Sequence, residues 1–197
     1  MDPAKRMATY EDVLAAPEGA RAEVVAGQLH LDPAPLPEHA FVQSAIGASV
    51  GVSFQHRDGG DGPGGWWILP EVDVRLGPHD IVRPDLSGWR RKRLPRPWGL
   101  RPIDVVPDWC CEILSPTSAR RDLVAKRELY ARHDVPHYWI LDPRERTLTA
   151  LQLAGGMWIE LGVWDDTARV QVPPFDAIEL EVGRLFPPLS EADRLQE

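Results

Sequence analysis

The chain has 197 residues, 43% of them hydrophobic and 26% charged, which suits one soluble domain able to bury about 70% of its unfolded surface. No window approaches the ~18 uninterrupted apolar residues of a membrane helix, and the charged opening stretch has no apolar centre of a secretory signal, so the expected compartment is the cytosol, with no membrane partner. The net charge of −8 excludes a general nucleic-acid coat protein, and the adjacent pair Cys110 and Cys111 excludes a disulfide framework or a structural zinc site.

In chain order, Thr9 caps a predicted short helix to Ala15, which Pro17 ends. Ala22 to Leu31 alternates loosely around Gly27 and reads as a hairpin. After the proline-bearing linker Asp32 to Pro37, the residues Phe41, Val42, Ala45, Ile46, Ala48, Ser49 and Val52 recur at helical spacing and predict one amphipathic helix from Glu38 to Phe54. Asp58 to Gly65 is glycine-rich and predicts a flexible loop. Three strand-like runs follow, Trp66 to Leu76, Asp80 to Trp89 and Asp104 to Ser115, the last two separated by a basic, proline-rich loop. Thr117 to His133 predicts the second long helix and His137 to Leu141 a strand. Thr147 to Leu153 and Met157 to Trp164 predict a hairpin about Gly155-Gly156, and Ile178 to Val182 a last short strand. The order implies an α/β (α+β) fold, a sheet flanked by a few helices. No phosphate-loop, dinucleotide-binding, HExxH or GxSxG motif is present.

Glu112 lies in the run Val105 to Ser115 with apolar residues on both sides, and a carboxylate buried on a central strand demands a compensating partner. Asp85 stands among strand formers after Pro84, which marks an irregular or bulged segment. If the two runs are neighbours, their carboxylates converge into an oxygen cage suited to Mg²⁺ or Mn²⁺. Taken singly, Asp85 is equally a post-proline turn carboxylate and Glu112 a partner of a nearby Arg. Glu71 and Asp73 alternate with apolar residues and read as a solvated face. On the second predicted helix Leu123, Lys126, Leu129 and Tyr130 share one stripe, and Arg121, Glu128 and Arg132 fall on the other side, so Lys126 faces the sheet. Of the 22 basic residues only Lys5, Lys92 and Lys126 are lysines, so an inward lysine points to a compact charge rather than a guanidinium fork. A lysine snorkelling from the helix edge is the plainer alternative.

The motifs Pro84-Asp85, Glu112-Ile113-Leu114-Ser115-Pro116-Thr117-Ser118, Arg120-Arg121-Asp122 through Lys126 to Tyr130, Val135 to Trp139 and Asp142-Pro143 follow Glu23 to Leu29 and His39. In this order and spacing, from about Thr9 to Val182, the sequence resembles the Uma-type putative restriction endonuclease family of the PD-(D/E)XK nuclease superfamily. The resemblance implies a restriction-endonuclease-like core with a mixed central β-sheet, in a single domain over 1–197 with its core about 9–182 and a tail 183–197. Carried over by position, Asp85 is the motif aspartate and Glu112 the acid of the next strand. The superfamily pattern places a lysine two residues after that acid; here the position is Leu114, and Lys126 from the adjacent helix is the natural substitute. The implied chemistry is metal-dependent phosphodiester hydrolysis by an endonuclease. Asp85, Glu112 and a backbone carbonyl near Ile113 would hold Mg²⁺ or Mn²⁺, Lys126 would orient hydroxide or stabilise the transition state, and Glu23 and His39 would complete the site as acid or substrate contact.

Arg90, Arg91, Lys92, Arg93, Arg96 and Arg101 form a basic stretch without an acid directly after the Asp85 strand, suited to phosphate contact or simply to a solvated loop. Trp67, Trp89, Trp109 and Trp139 lie in strand-like runs and read as core, which leaves Trp98 as the candidate for stacking on bases. The expected partner is nucleic acid, DNA before RNA, with a homodimer as one way to place two sites. Two other readings stay open: a nuclease fold that has lost its chemistry and serves as a binding or assembly module, and a metal-dependent hydrolase of a small acidic substrate. A narrow closed pocket favours the latter; an open cleft flanked by Arg90 to Arg101 favours a nuclease.

Overall fold

The computed structural model describes residues 6–55, 63–116 and 118–189. Most of the expected glycine-rich loop, and Thr117 at the expected start of the second helix, lie outside the described residues.

Helix α1 (Tyr10–Leu14) opens at Thr9, whose amide donates to Asp12 at 2.8 Å. Tyr10 and Val13 pack on Ala22 and Val24 of the hairpin β1 (Arg21–Val25) and β2 (Gln28–Asp32). The hairpin turn is Ala26-Gly27, both at positive φ (50° and 74°), the twist that matches a two-residue connection to its strands. Helix α2 (Pro37–Phe54) begins on the proline itself, whose fixed φ suits a first helical position. Its inward face is Val42, Ile46, Val50 and Phe54, a narrower stripe than the spacing predicts, with Phe41 and Val52 left exposed.

Each of the first two strand-like runs is cut in two. Pro70, the last residue of β3 (Trp66–Pro70), and Glu71 at φ 48° end that strand ahead of β4 (Val74–Gly77), and Pro84 lies between β5 (Asp80–Val82) and β6 (Leu86–Arg90). A residue without an amide hydrogen cannot extend a ladder on both sides, so the chain leaves one sheet and enters another at these points. The third run contracts to β7 (Trp109–Ile113). A π-helical turn (Arg121–Lys126) and helix α3 (Arg127–Arg132) then cross over to β8 (His137–Asp142), followed by β9 (Thr147–Ala154) and β10 (Met157–Trp164). The short strands β11 (Arg169–Val170) and β12 (Leu180–Glu181) pair with each other ahead of a 3-10 turn (Val182–Leu185).

One sheet is antiparallel with the order β2-β1-β5-β4; the other has the order β10-β9-β8-β7-β6-β3 and is mixed, because β7 and β8 run parallel across the helical crossover. On one face of the larger sheet Trp109 and Trp139 pack with Val50 of α2 and with Phe175. On the other, Trp89, Cys110, Tyr130 and Tyr138 pack with Val25 and Val82 of the smaller sheet. Leu185 and Phe186 join the first core, which therefore extends past residue 182. Trp89, Trp109 and Trp139 are buried as the sequence predicts, whereas Trp67 is partly buried. No helix among the described residues is long and apolar enough to cross a membrane.

Candidate active site

Strand alternation sends Trp109, Cys111 and Ile113 of β7 to the α2 face and Cys110 and Glu112 to the face covered by the crossover. The Glu112 carboxylate therefore emerges beneath Lys126, whose Nζ donates to Glu112 Oε1 and to Glu23 Oε1 at 2.9 Å each and lies 3.5 Å from Asp122 Oδ1. Tyr130 Oη donates to Glu112 Oε1 at 2.6 Å. Strands β6 and β7 are neighbours in the register Leu86↔Cys111, so one step further brings Asp85 level with Glu112. Asp85 Oδ2 accepts the Ile113 amide at 2.7 Å and lies 3.2 Å from His39 Nε2, and its Oδ1 accepts Arg21 at 2.8 Å. Asp85, Glu112, Lys126 and Glu23 thus come from the residue just before β6, from β7, the crossover and β1 to one place, and each is at most 3% exposed.

The electrostatics separate the two central carboxyls. Burial pushes Glu112 up, and although Lys126 opposes this, Asp122, Asp85 and Glu23 add like charge and bring it up to about 8. Burial acts on Asp85 in the same direction, but the His39 hydrogen bond and charge, the Arg21 guanidinium and the Ile113 amide outweigh it and hold Asp85 below the usual carboxylate range. Burial tends to lower Lys126, yet Glu112, Glu23 and Asp122 prevail and raise it well above its ordinary value. Asp122 is pushed up by burial against the pull of Lys126.

Several site residues lie outside the sequence-based set. Arg121, expected on the far side of its helix from Lys126, instead turns inward to Asp32 and lies 3.6 Å from Glu23. Leu123, expected inward, is 42% exposed. The cause is the π turn: its i→i+5 bonding widens the spiral, so the α-helical phase that holds from Lys126 onward fails before it. Asp122 was detectable by its four-residue spacing to Lys126, and Arg21 and Asp32 by their cross-strand register. Asp73, expected on a solvated face, is buried and accepts hydrogen bonds from Arg83, Arg101 and Tyr10, a structural cluster.

The basic loop is not brought to this place. Asp85 precedes β6 and Arg90 ends it, which separates them by roughly 15 Å along the five-residue strand. Arg90 and Arg91 lie over the rings of Trp66 and Trp67, Arg93 pairs with Asp108, and Lys92 is exposed. Trp98 is 57% exposed and meets Trp67 edge-on.

Glu112 forms the floor of a cleft of about 300 Å³ that is walled by His39, Asp85, Arg21, Arg121 and the segment 33–36. Five carboxylates, Glu23, Asp32, Asp85, Glu112 and Asp122, line it against the three permanent cations Arg21, Arg121 and Lys126. Among the described residues no three metal-ligating side chains are already gathered round one point. The donor chemistry still fits Mg²⁺ or Mn²⁺: the set is all oxygen, carries excess negative charge, and Mg²⁺ ordinarily takes one or two carboxylates, with water and phosphate completing the shell.

A family model, Uma2, described as "Putative restriction endonuclease", matches residues 7–183. No curated protein matches the chain. A crystal structure of a putative nuclease belonging to DUF820 from Anabaena variabilis ATCC 29413 superposes with a TM-score of 0.73 at 24% identity, covering 91% of this chain and 97% of that one. A likeness of this kind establishes the shared fold, a mixed sheet with few helices, as the resemblance in the sequence implies.

Proposed function

The chain belongs to the Uma2 family of putative restriction endonucleases, and from that membership we propose that it hydrolyses phosphodiester bonds of nucleic acid with the help of Mg²⁺ or Mn²⁺. The observation that carries this reading is the meeting of Asp85, Glu112 and Lys126 from three separate elements in one cleft, with Lys126 supplying the ammonium that Leu114 cannot.

Asp85 and Glu112, with the Ile113 backbone, are the residues to hold the ion, which when bound would activate water and neutralise phosphate charge. The chain's own groups do the rest. Lys126, fixed between Glu112 and Glu23, presents a positive charge to the oxygen that becomes anionic. Glu23 acts by position: its Oε1 accepts both Lys126 Nζ and the Arg83 amide, at 2.9 and 2.6 Å, and so pins the ammonium. His39 Nε2 steadies Asp85, and its ring lines the cleft, where it would serve as acid or substrate contact.

The test is cleavage of mixed-sequence oligonucleotides with Mn²⁺, Mg²⁺ or EDTA, comparing wild type with Glu112→Ala. We expect cutting only with metal, and a loss of at least about a hundredfold in the variant, given that even supporting residues of metal sites cost up to that much. Equal rates for the two proteins remove Glu112 from the chemistry and with it this reading.

A further inference from the structure

Two hollows meet at the proposed site. The cleft over Glu112, about 300 Å³, shares Leu36, His39, Ser115 and Pro116 with a second hollow of about 360 Å³ that runs out to Arg144. The reacting groups lie at the bottom, with Glu112 only 2% exposed. One wall is the segment 33–36, stiffened by Pro33 and Pro35, and another is Pro116. Each volume is at the low end for ligand pockets. The phosphates of a duplex lie on its outside, but a stiff double helix cannot bend one backbone down to such a floor without local unpairing.

The charge agrees with the shape. A duplex is held by several cations that displace counterions along both backbones. The cations lining the two hollows are Arg21, Arg121, Lys126 and Arg144; the first three face Asp85, Asp32 and Glu112, and Arg90, Lys92 and Arg93 stand at the other end of β6. Arg121 and His39 both line the cleft where phosphate oxygens would pass, and the buried Arg121 Nε and His39 Nδ1 have no hydrogen-bond partner among the described residues.

We infer that the two hollows form one channel for a single polynucleotide strand, so that the substrate is unpaired DNA or RNA, or a frayed end, rather than intact duplex. The inference rests on the nuclease reading and gives it a substrate class. A strand entering past Arg144 lays one phosphate over Glu112 and the next against Arg121 and Arg21, without base-specific contacts.

The experiment offers the full chain, with Mn²⁺, single-stranded DNA, single-stranded RNA and a hairpin-closed duplex of one sequence. In parallel, fluorescence anisotropy measures binding of the same three by Glu112→Gln in EDTA. Cleavage of a single strand exceeding that of the duplex by about tenfold or more is expected, the cost of unpairing before entry, with tighter single-strand binding that Arg144→Glu weakens. The DNA and RNA arms distinguish the two polymers. Equal cutting and equal binding of the closed duplex overturn the channel and leave the nuclease reading intact. No cutting of any substrate, with the single-strand binding preference preserved, overturns the nuclease reading and keeps the channel.

Discussion

Glu112 is a carboxyl whose folded-state pKa, about 8, lies above its ordinary value of 4.5 because burial and neighbouring acids disfavour its charge. Between those values the folded protein holds a proton that the unfolded chain has released, so this group's contribution to stability falls as pH rises from about 4.5 to about 8 and is level beyond. Urea unfolding of wild type and Glu112→Gln in EDTA from pH 5 to 9 should therefore show wild type losing up to about 1.4 kcal/mol per pH unit relative to the variant. A flat difference means that Lys126 keeps Glu112 ionised throughout. Lys126 is the opposite case, a cation whose removal leaves Glu112 and Glu23 buried without their shared partner. Lys126→Ala should cost about 3–5 kcal/mol in the same assay. A loss below 1 kcal/mol would show that neither carboxylate depends on it for charge compensation.

Gly88 shows how the elements hold the carboxylates level. It sits in β6 between the buried rings of Trp66 on β3 and Trp109 on β7, and a Cβ there would meet their carbons at 3.3 and 3.1 Å. Gly88→Ala should overpack this layer at about 1–3 kcal/mol, read as a lowered urea midpoint, and should push β6 along with Asp85 away from β7. An unchanged midpoint would mean that the two indoles yield without strain. At this scale most of the fold was legible in the sequence, because apolar runs and turn residues are local signals: the hairpins about Gly27 and Gly155-Gly156, the α2 helix and β8 fall where patterning puts them. The division of the runs at Pro70 and Pro84 between two sheets was not legible, since a broken strand and a bulged one share the same residues. Asp85, Glu112 and Lys126 could be picked out by type and setting. Arg121 could not, because the π turn that rotates it inward leaves no mark on an α-helical wheel.

Across the whole molecule, the acids and the cations that face them gather at one end of the large sheet, and the exposed bases Arg90, Lys92, Arg93 and Arg96 at the other, while Arg101 is drawn to Asp73. That polarity bears on binding. If a strand meets only Arg21, Arg121 and Arg144, log K should fall with log salt at a slope of about −2, from about 0.7 per neutralised phosphate on a single strand. Charge reversal at Lys92 and Arg96, both exposed at the opposite end, should leave that slope in place, because neither side chain can reach a strand lying over Glu112. Reversal at Arg144 should make it shallower by about 0.7. Anisotropy titrations of Glu112→Gln over a range of NaCl concentrations, repeated in the Lys92→Glu/Arg96→Glu background, measure both slopes directly. A slope that flattens by one or more in that background would place the basic loop in contact with the strand, and the substrate path would then have to run round the sheet rather than through its Asp85 end.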